Sequence, residues 1–507
     1  MSETTKRDFS ELLSSERIGH NKSEGRKKID AFASDRSRIL YCAAFRRLQQ
    51  KAQVFSMETN ACVRSRLTHS LEVADLGRRL ANDIAAKLNS QGKLTDANVA
   101  VLVSVVENAC LLHDIGNPPF GHFGEAAIQD WAKHEALALA PKQLVEETEN
   151  GRKWNPTMEK LMKDFEEFDG NPQGFRIVTK LYSDFGPHGL DLTCATLLCG
   201  LKYARTSGEP SKIGKEEPGI LKKAGWFRTE DDQVRQLHQM VDRPLGGRFP
   251  LTYIMEAADD ISYCMSDIAD GIEKGILTEG DFVRVFIEEW DKTWNPTYRD
   301  EVKTNKRAKR TVELPEKIRY YSENPEEMVS FNHDFAVSWA GRATKAAVEA
   351  FFDEKNEEAI WNGSAEPLMK RDCEMQKVLD NISSVCCKLL YPSEEAESIE
   401  LTGYAVITGI LRNYRRLLTL SREDFKKVMD GKRKKFPVET RMYNRIGKHC
   451  VKAYEHAVAA LDEKDADFAQ KEWWLRVHLL VDHISSMTDA YALETYQMLE
   501  GIALMRT

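Results

Sequence analysis

Several features that would place a chain of 507 residues in a specialised class are missing from this one. No uncharged apolar run reaches about 18 residues, so that no transmembrane helix is expected. The first residues, MSETTKRDFSELLSSER, are polar and lack the apolar centre of a secretory signal. The ten cysteines include no Cys-X-X-Cys pair, which argues against a disulfide scaffold. Together with the missing signal, this predicts reduced thiols in a cytoplasmic protein.

A large excess of positive charge is also missing. The formal net charge is −8, which argues against a surface that binds nucleic acid over its whole extent. Two local basic runs remain, KTNKRAKR at 303–310 and GKRKKF at 431–436. The simpler interpretation of each is a solvated loop or helix face. The alternative is a patch that binds phosphates or single-stranded nucleic acid.

Runs of alternating apolar and polar residues, which predict β-strands, are few, and helical periodicity dominates. The segment 96–114 is apolar nearly all round, as a helix in the centre of a protein would be. Segment 249–277 has apolar residues at intervals of three and four. We therefore predict an all-α fold. On the helix predicted around 66–88, one face is expected to carry Leu67, Leu71, Ala74, Leu80, Ile84 and Leu88.

The chain shows no internal repeat and no low-complexity segment, and changes in composition suggest its organisation. Residues 1–28 form a polar N-terminal segment that we expect to be loosely held. Residues 29–290 are expected to form the core, with a Lys- and Glu-rich surface excursion at about 134–170. Residues 291–507 are expected to form a helical C-terminal region, which starts with a charged connection at 296–328.

The stretch ACLLHDIGNPPFGHFGEAAI, residues 109–128, predicts a helix that ends at two polar groups, His113 and Asp114. The following Gly and two Pro residues stop the helix and stiffen the loop. At a helix end both side chains can reach one ion, and imidazole with carboxylate suits Mn, Fe, Ni, Zn or Mg. Taken alone, the pair is better explained as a capped helix end with a solvated histidine.

Two further residues supply metal-ligand chemistry. His69 lies on the amphipathic helix around 66–88, where a histidine packed in the core is the simpler interpretation. Asp259 and Asp260 lie inside an otherwise apolar helix, and an unpaired buried carboxylate is costly. A metal ion removes that cost. Together with His113 and Asp114, His69 and Asp259 would make a site of two histidines and two carboxylates.

Motifs in a fixed order support this grouping. RLTHS, HDIGNPPFGHFGE and ADDISY resemble the His…His-Asp…Asp set of the HD phosphohydrolase superfamily. Segments 34–55, 168–176, 201–205, 248–267 and 399–404 are similar to the deoxyguanosine triphosphate triphosphohydrolase family within it. The resemblance implies a helical HD fold, a divalent metal cofactor (Mg or Mn) bound by His69, His113, Asp114 and Asp259, and hydrolysis of dGTP to deoxyguanosine and tripolyphosphate.

The resemblance also implies a role for individual residues. His122 would protonate the leaving sugar O5′, and Glu125 would orient its imidazole. The deoxyribose would meet Gln53, Tyr263 and Asp267, and the guanine would meet Glu400 and Arg433. The phosphate-binding set would be Arg66, Asn171, Lys202, Tyr203 and Lys223. The sequence departs from the family in one place, where Glu167 stands at the position of an expected His and Asp169 at that of a Glu.

Two alternatives to a dGTP triphosphohydrolase remain open. One is another HD phosphohydrolase, such as a dNTP triphosphohydrolase of broader specificity or a nucleotide phosphodiesterase. The other is a protein that binds single-stranded nucleic acid on an HD fold without catalysis. Binding of single-stranded DNA through the basic runs also stays open as a second property. The resemblance further implies a homo-oligomer, often a hexamer, and no membrane partner is expected.

Overall fold

The computed structural model describes residues 7–19, 27–149, 151–182, 187–211, 219–293, 318–327, 335, 337–369 and 374–502. These residues are mainly helical, which confirms the predicted all-α fold. Within the described residues, the sheet structure is limited to one antiparallel hairpin, Val145–Thr148 with Gly151–Trp154, and two isolated bridges. No helix in the described part of the chain has the length and apolar character needed to cross a bilayer.

The α-helices account for most of the described residues. Their bounds are Lys28–Tyr41, Ala43–Arg47, Arg66–Ser90, Asp96–Leu112, Gly121–His134, Ala136–Leu139, Pro156–Leu161, Lys163–Glu166, Gly170–Arg176, Cys194–Cys199, Asp231–Met240, Thr252–Glu273, Glu279–Thr293, Val337–Phe351, Glu354–Trp361, Glu374–Val385, Glu394–Leu418, Arg422–Met429, Pro437–Tyr443, Lys448–Ala459, Phe468–Ser485 and Asp489–Leu499. Short 3₁₀ turns lie at Phe9–Leu12, Leu48–Gln50, Lys142–Leu144, Gly219–Leu221, Arg228–Glu230 and Pro325–Glu327, and π-helical turns lie at Ile177–Leu181 and Cys386–Leu390.

The chain divides into two compact units, and each is assembled from three separate stretches. Unit one comprises Met1–Leu13, Gln53–Leu111 and Gly247–Ile399, and unit two comprises Ser14–Ala52, Leu112–Gly246 and Glu400–Thr507. This division differs from the predicted one, since neither unit ends near residue 290. Hydrophobic pattern follows the local element and does not show which distant segments share a core.

In unit one, the helix Arg66–Ser90 packs along the helix Thr252–Glu273. A Cβ on Gly77 would lie 2.4 Å from the Cys110 sulfur and 3.5 Å from the Ala258 Cβ. The small residue therefore allows a close approach of the helices. The predicted apolar face is wrong at Leu71, which is 47% exposed, because the buried stripe runs through His69 and Val73 instead.

In unit two, the helix Phe468–Ser485 is buried over most of its length. It belongs to a hydrophobic cluster to which the predicted surface excursion at 134–170 also contributes. Met158 and Phe165 from that segment are fully buried in the cluster. The prediction of an excursion is therefore wrong: the Lys and Glu residues cover the outer face of short helices whose inner face is apolar.

Two other expectations concern segments outside the compact core. The N-terminal segment 1–28 was expected to be loosely held, but Phe9, Leu12 and Leu13 are buried. The Phe9 amide donates to the Lys93 carbonyl at 2.8 Å, so that this part of the chain is fixed by packing. Most of the predicted connection at 296–328 lies outside the described residues, and Ile318 from its last part is buried.

Candidate functional site

In unit one, the start of the helix Arg66–Ser90 fixes two of the predicted site residues. A capping box lies at the N-terminus of this helix: the Ser65 side chain accepts from the Thr68 amide, and the Thr68 side chain accepts from the Ser65 amide. Arg66 therefore takes the first helical position and His69 lies one turn later. A guanidinium nitrogen of Arg66 donates to the side-chain amide oxygen (Oε1) of Gln53 at 3.4 Å, which brings together two residues predicted for phosphate and sugar.

His69 and Asp259 are placed side by side within unit one. His69 is fully buried, and its Nε2 lies 3.7 Å from Oδ1 of Asp259. This separation is too long for a good hydrogen bond. Two donors that each lie about 2.1 Å from one metal ion are about 3.0 to 3.4 Å apart. The pair is therefore close to the spacing of two ligands of one metal ion.

The helix Thr252–Glu273 presents Asp259, Tyr263 and Asp267 at intervals of four residues, which places them along one side. The Tyr391 hydroxyl donates to Asp267 at 2.7 Å and also contacts the Tyr263 hydroxyl. Burial raises the pKa of Asp267 to about 6, although the Tyr391 hydrogen bond acts in the opposite direction. Tyr391 was missed by sequence reasoning, because a tyrosine after a π-helical turn carries no motif.

In unit two, His113 and Asp114 follow directly on the helix Asp96–Leu112. His113 Nε2 lies 3.6 Å from Oδ2 of Asp114, and both side chains are largely buried. Asn117 donates its side-chain amide to the other carboxylate oxygen of Asp114 at 2.5 Å. Asp114 is thus oriented by its own turn. The separation in this second His–Asp pair again suits two ligands of one metal ion.

The loop after this pair is held by residues that are far away in the sequence. The Lys51 ammonium is buried and donates to the Asn117 carbonyl at 2.5 Å. The carboxylate of Asp489 accepts from the Phe120 amide at 3.0 Å. A Cβ on Gly116 would lie 2.0 Å from the Gly170 carbonyl oxygen, so that glycine is required there. Sequence reasoning missed both Lys51 and Asp489.

After the loop, the first turn of the helix Gly121–His134 brings His122 and Glu125 into contact, as predicted. His122 Nδ1 and Glu125 Oε2 are 2.8 Å apart, and the His122 side chain is 83% exposed whereas that of Glu125 is 7% exposed. The second oxygen of Glu125 accepts from the Gly170 amide at 2.7 Å. The Gly170 amide therefore fixes the Glu125 carboxylate, which in turn orients a solvent-exposed imidazole. Such a carboxylate orients the ring and stabilises its charged form.

Asp169 organises two of the predicted phosphate-binding residues. It caps the helix Gly170–Arg176 by accepting from the Asn171 amide at 2.9 Å, and it accepts from the Asn171 side chain at 2.6 Å. It also forms an ion pair with Lys223. Burial raises the pKa of Asp169, but the charge of Lys223 and these hydrogen bonds outweigh it, so that the pKa is below its usual value. Asn171 and His113 also line one small cavity.

Glu167, at the position where the family resemblance implies a histidine, makes an ion pair. Its carboxylate accepts from Arg205 at 2.8 Å. Arg205 also donates to the Leu221 carbonyl at 3.0 Å. The segment 201–207 is in this way tied to the segment that carries Lys223. A Cβ on Gly225 would lie 2.0 Å from the Tyr203 carbonyl oxygen, so that these two segments run in close contact, with Lys202 half-buried.

The two residues predicted for guanine differ in their surroundings. Glu400 is half-buried in the helix Glu394–Leu418, one turn before Gly403. A Cβ on Gly403 would lie 2.4 Å from that of Phe120, so that this helix packs against the loop before His122. Arg433 is exposed in the turn after the helix Arg422–Met429. It belongs to the basic run 431–436, whereas the other basic run, 303–310, lies outside the described residues.

The predicted site residues thus form two groups, each described within its own unit. Unit one holds Gln53, Arg66, His69, Asp259, Tyr263 and Asp267. Unit two holds His113, Asp114, His122, Glu125, Asn171, Lys202, Tyr203, Lys223, Glu400 and Arg433.

Comparisons with known proteins identify relatives of this chain. Residues 66–159 match the family model described as HD domain. The chain is 35% identical over 491 residues to a deoxyguanosinetriphosphate triphosphohydrolase of Klebsiella pneumoniae (strain 342), with 93% of this chain and 94% of that protein covered. It is 35% identical to a protein of the same name from Enterobacter sp. (strain 638) and 34% identical to one from Salmonella typhi, with the same coverage.

Proposed function

Because the chain belongs to the deoxyguanosinetriphosphate triphosphohydrolases, which are HD-domain hydrolases, we propose that it hydrolyses dGTP to deoxyguanosine and inorganic tripolyphosphate. The observation that carries the proposal is the His122–Glu125 pair at the start of the helix Gly121–His134, which one clamped loop joins to the His113–Asp114 pair. A proton donor and a metal-ligand pair are the two elements that breaking a phosphate ester at neutral pH requires.

The metal set in this proposal is His69, His113, Asp114 and Asp259, with Mg or Mn as the ion. The two carboxylates are ligands that Mg and Mn favour, whereas the two imidazoles would also accept Fe, Ni or Zn. Both His–Asp pairs have separations near those of shared ligands. A bound divalent cation would supply Lewis-acid stabilisation of the α-phosphate and a more acidic water molecule.

In the proposed reaction, water attacks the α-phosphorus and the bond from phosphorus to the sugar O5′ breaks. The oxygen of water ends in tripolyphosphate, and O5′ takes up a proton as deoxyguanosine leaves. With Nδ1–H of His122 donating to Glu125, the imidazolium form carries its second proton on Nε2, and this proton is transferred to O5′, which leaves a neutral imidazole. The Gly170 amide on the other carboxylate oxygen keeps Glu125 from turning away.

For the triphosphate, we propose Arg66, Asn171, Lys202, Tyr203 and Lys223 as the binding set. A triphosphate carries about four negative charges, so that several cations must gather around it. Lys223 already pairs with Asp169. Binding of dGTP would therefore place a stronger anion beside a lysine that is positioned in advance.

For the nucleoside, we propose that Gln53, Tyr263 and Asp267 contact the deoxyribose, and that Glu400 and Arg433 recognise guanine. A tyrosine ring against C2′ leaves little room for a 2′-hydroxyl, which would favour dGTP over GTP. Tyr391 contacts both Tyr263 and Asp267. We therefore add it as a positioning residue for the sugar pocket.

The test is product analysis by ion-exchange chromatography after incubation with Mg or Mn and each dNTP in turn. Tripolyphosphate and deoxyguanosine from dGTP alone support the proposal. Equal turnover of all four dNTPs would favour the broader dNTP triphosphohydrolase. Pyrophosphate with dGMP would contradict the proposed role of His122, because a different bond would have been broken.

The metal set has a test that does not depend on turnover. The wild type and the variants His69→Ala, His113→Ala and Asp259→Asn are dialysed against Mn, and bound metal is measured by mass spectrometry. Each variant is expected to lose the bound ion, whereas Asp75→Asn, on the exposed side of the helix Arg66–Ser90, should retain it. Full metal content in all three variants would contradict the assignment.

The family resemblance also supports a proposal about partners. We propose that the chain forms a homo-oligomer, with a hexamer as the expected state, and light scattering after size-exclusion chromatography tests it. Binding of single-stranded DNA through the exposed run 431–436 is a separate proposal. A steep fall in affinity with salt, removed when the basic residues of that run are neutralised, would support it.

A further inference from the structure

Unit two contains a cavity of about 540 Å³ that none of the residues proposed for dGTP lines. It opens between the hairpin region 139–152, the turn at 419–422 and the start of the helix Phe468–Ser485. This volume falls within the usual range of sites for small molecules.

The lining of the cavity has an excess of positive charge. Four cationic side chains face two anionic ones. Arg476 is neutralised by Glu472, to which it donates two hydrogen bonds of 3.1 and 2.5 Å. The remaining cations are Lys142, Arg152 and Arg422. Arg152 and Arg422 each meet one carboxylate, from Glu147 and Glu463, and these two side chains are 70% and 67% exposed. An anion inside the cavity can therefore compete with both exposed carboxylates.

Two of these cations have buried donors that lack an acceptor. Within the described residues, the Nε atoms of Arg152 and Arg422 are buried and make no hydrogen bond. The nearest carboxylate oxygen to the first, from Glu147, lies 3.7 Å away. Leaving a buried donor unsatisfied is costly, and an anion in the cavity would remove that cost.

Two helix N-termini line the cavity, at the turn before the helix Arg422–Met429 and at the first residues of the helix Phe468–Ser485. Ser421 caps the first of them by accepting from the Asp424 amide. The second follows Asp467 and has no side-chain cap. Amide groups at such ends favour phosphate or carboxylate groups.

The remaining wall is apolar and aromatic, with Leu139, Pro141, Leu144, Phe468 and Trp473. Inorganic phosphate alone would leave this wall uncovered, and a purely apolar ligand would leave the guanidinium donors unsatisfied. We propose that the cavity is a second ligand site that takes a nucleoside monophosphate. Its phosphate lies between Arg152 and Arg422, and its base lies against the apolar wall.

The test is calorimetric titration of the full-length protein with adenosine 5′-monophosphate, adenosine and inorganic phosphate as separate probes. The monophosphate is expected to bind at least 10-fold more tightly than either fragment. The double variant Arg152→Gln/Arg422→Gln should weaken its binding at least 10-fold. Ala469→Glu, which adds a negative charge at a helix N-terminus that tolerates one, should do the same without a loss of folding.

Two controls separate this site from the proposed active site. Arg412→Gln removes an exposed ion pair with Glu135 outside the cavity, and His113→Ala removes a proposed metal ligand. Both should bind the monophosphate like the wild type. The proposal is overturned if the monophosphate does not bind saturably, if inorganic phosphate binds as tightly, or if binding is lost in His113→Ala but kept in the double variant. None of these outcomes depends on hydrolysis of dGTP.

Discussion

Replacing Glu125 by glutamine is expected to destabilise the protonated form of His122 and to preserve most of the local structure. The wild-type carboxylate accepts from His122 at 2.8 Å and from the Gly170 amide at 2.7 Å. In Glu125→Gln, the amide oxygen can keep the bond to Gly170, while the amide NH₂ group faces the protonated Nδ1 of His122. The imidazolium form then loses its anionic partner.

The expected magnitude follows from that one lost bond. A hydrogen bond to a charged group contributes about 1.5 to 3 kcal/mol when it is sheltered. The His122 side chain is 83% exposed, and solvent screening reduces this to about 1 to 1.5 kcal/mol. That corresponds to a fall of about 5- to 13-fold in kcat/KM. The alkaline limb of the pH–rate profile should also move down by about one pH unit, because less of the acid is protonated at a given pH.

The assay is the rate of deoxyguanosine release from dGTP between pH 5.5 and 9.5, for the wild type, Glu125→Gln, His122→Ala and the double variant. Because Glu125 acts through His122, the effects should be strongly non-additive, and Glu125→Gln should cost little once His122 is absent. Glu125→Ala is the matched structural control. It also loses the bond to Gly170 and should lower the melting temperature, which Glu125→Gln should leave nearly unchanged.

Two results would refute this reasoning. One is an unshifted alkaline limb in Glu125→Gln with an equal loss of rate at every pH. The other is full additivity of the His122 and Glu125 substitutions, which would mean that Glu125 has a role independent of the imidazole.

Three further predictions concern stability. Gly116→Ala should cost at least about 2 kcal/mol in urea unfolding, because its Cβ would lie 2.0 Å from a backbone oxygen; Gly341→Ala, which meets no atom within 4 Å, should be neutral or stabilising. Asp169→Ala removes a helix cap and an ion pair, and should lower the free energy of unfolding by about 1 to 2 kcal/mol at pH 7. Its wild-type carboxylate has a lowered pKa, so that the difference should shrink as the pH falls below about 4. Burial raises the pKa of Asp164 to about 6, so that the folded protein favours the protonated carboxyl. This preference contributes about 3 kcal/mol to the free energy of unfolding below about pH 4, and the contribution is lost as the pH rises through 6. Asp164→Asn should flatten the dependence of unfolding free energy on pH between 4.5 and 7.5, and an unchanged slope would contradict this origin.

The sequence was sufficient where chemistry is local. His113 and Asp114 are adjacent, and His122 and Glu125 are three residues apart on a helix, so that spacing alone predicts their contact. The all-α fold likewise followed from periodicity, because each helix carries its own apolar pattern.

The sequence was insufficient where distant segments meet. The clamps on the catalytic loop, Lys51 and Asp489, lie 66 and 369 residues from their backbone partners. Tyr391 lies 124 residues from Asp267. Nothing in their local pattern distinguishes them from surface residues. The segment 134–170 was misjudged because its charged residues outnumber the few apolar side chains that are buried.

The most direct measurement is hydrolysis of dGTP in ¹⁸O-labelled water, with mass spectrometry of both products. Attack of water on the α-phosphorus predicts one labelled oxygen in tripolyphosphate and none in deoxyguanosine, with no turnover in His113→Ala. Label in deoxyguanosine would place the attack at the sugar carbon. It would contradict the proposed roles of His122 as proton donor to O5′ and of the His–Asp pairs as the centre of attack.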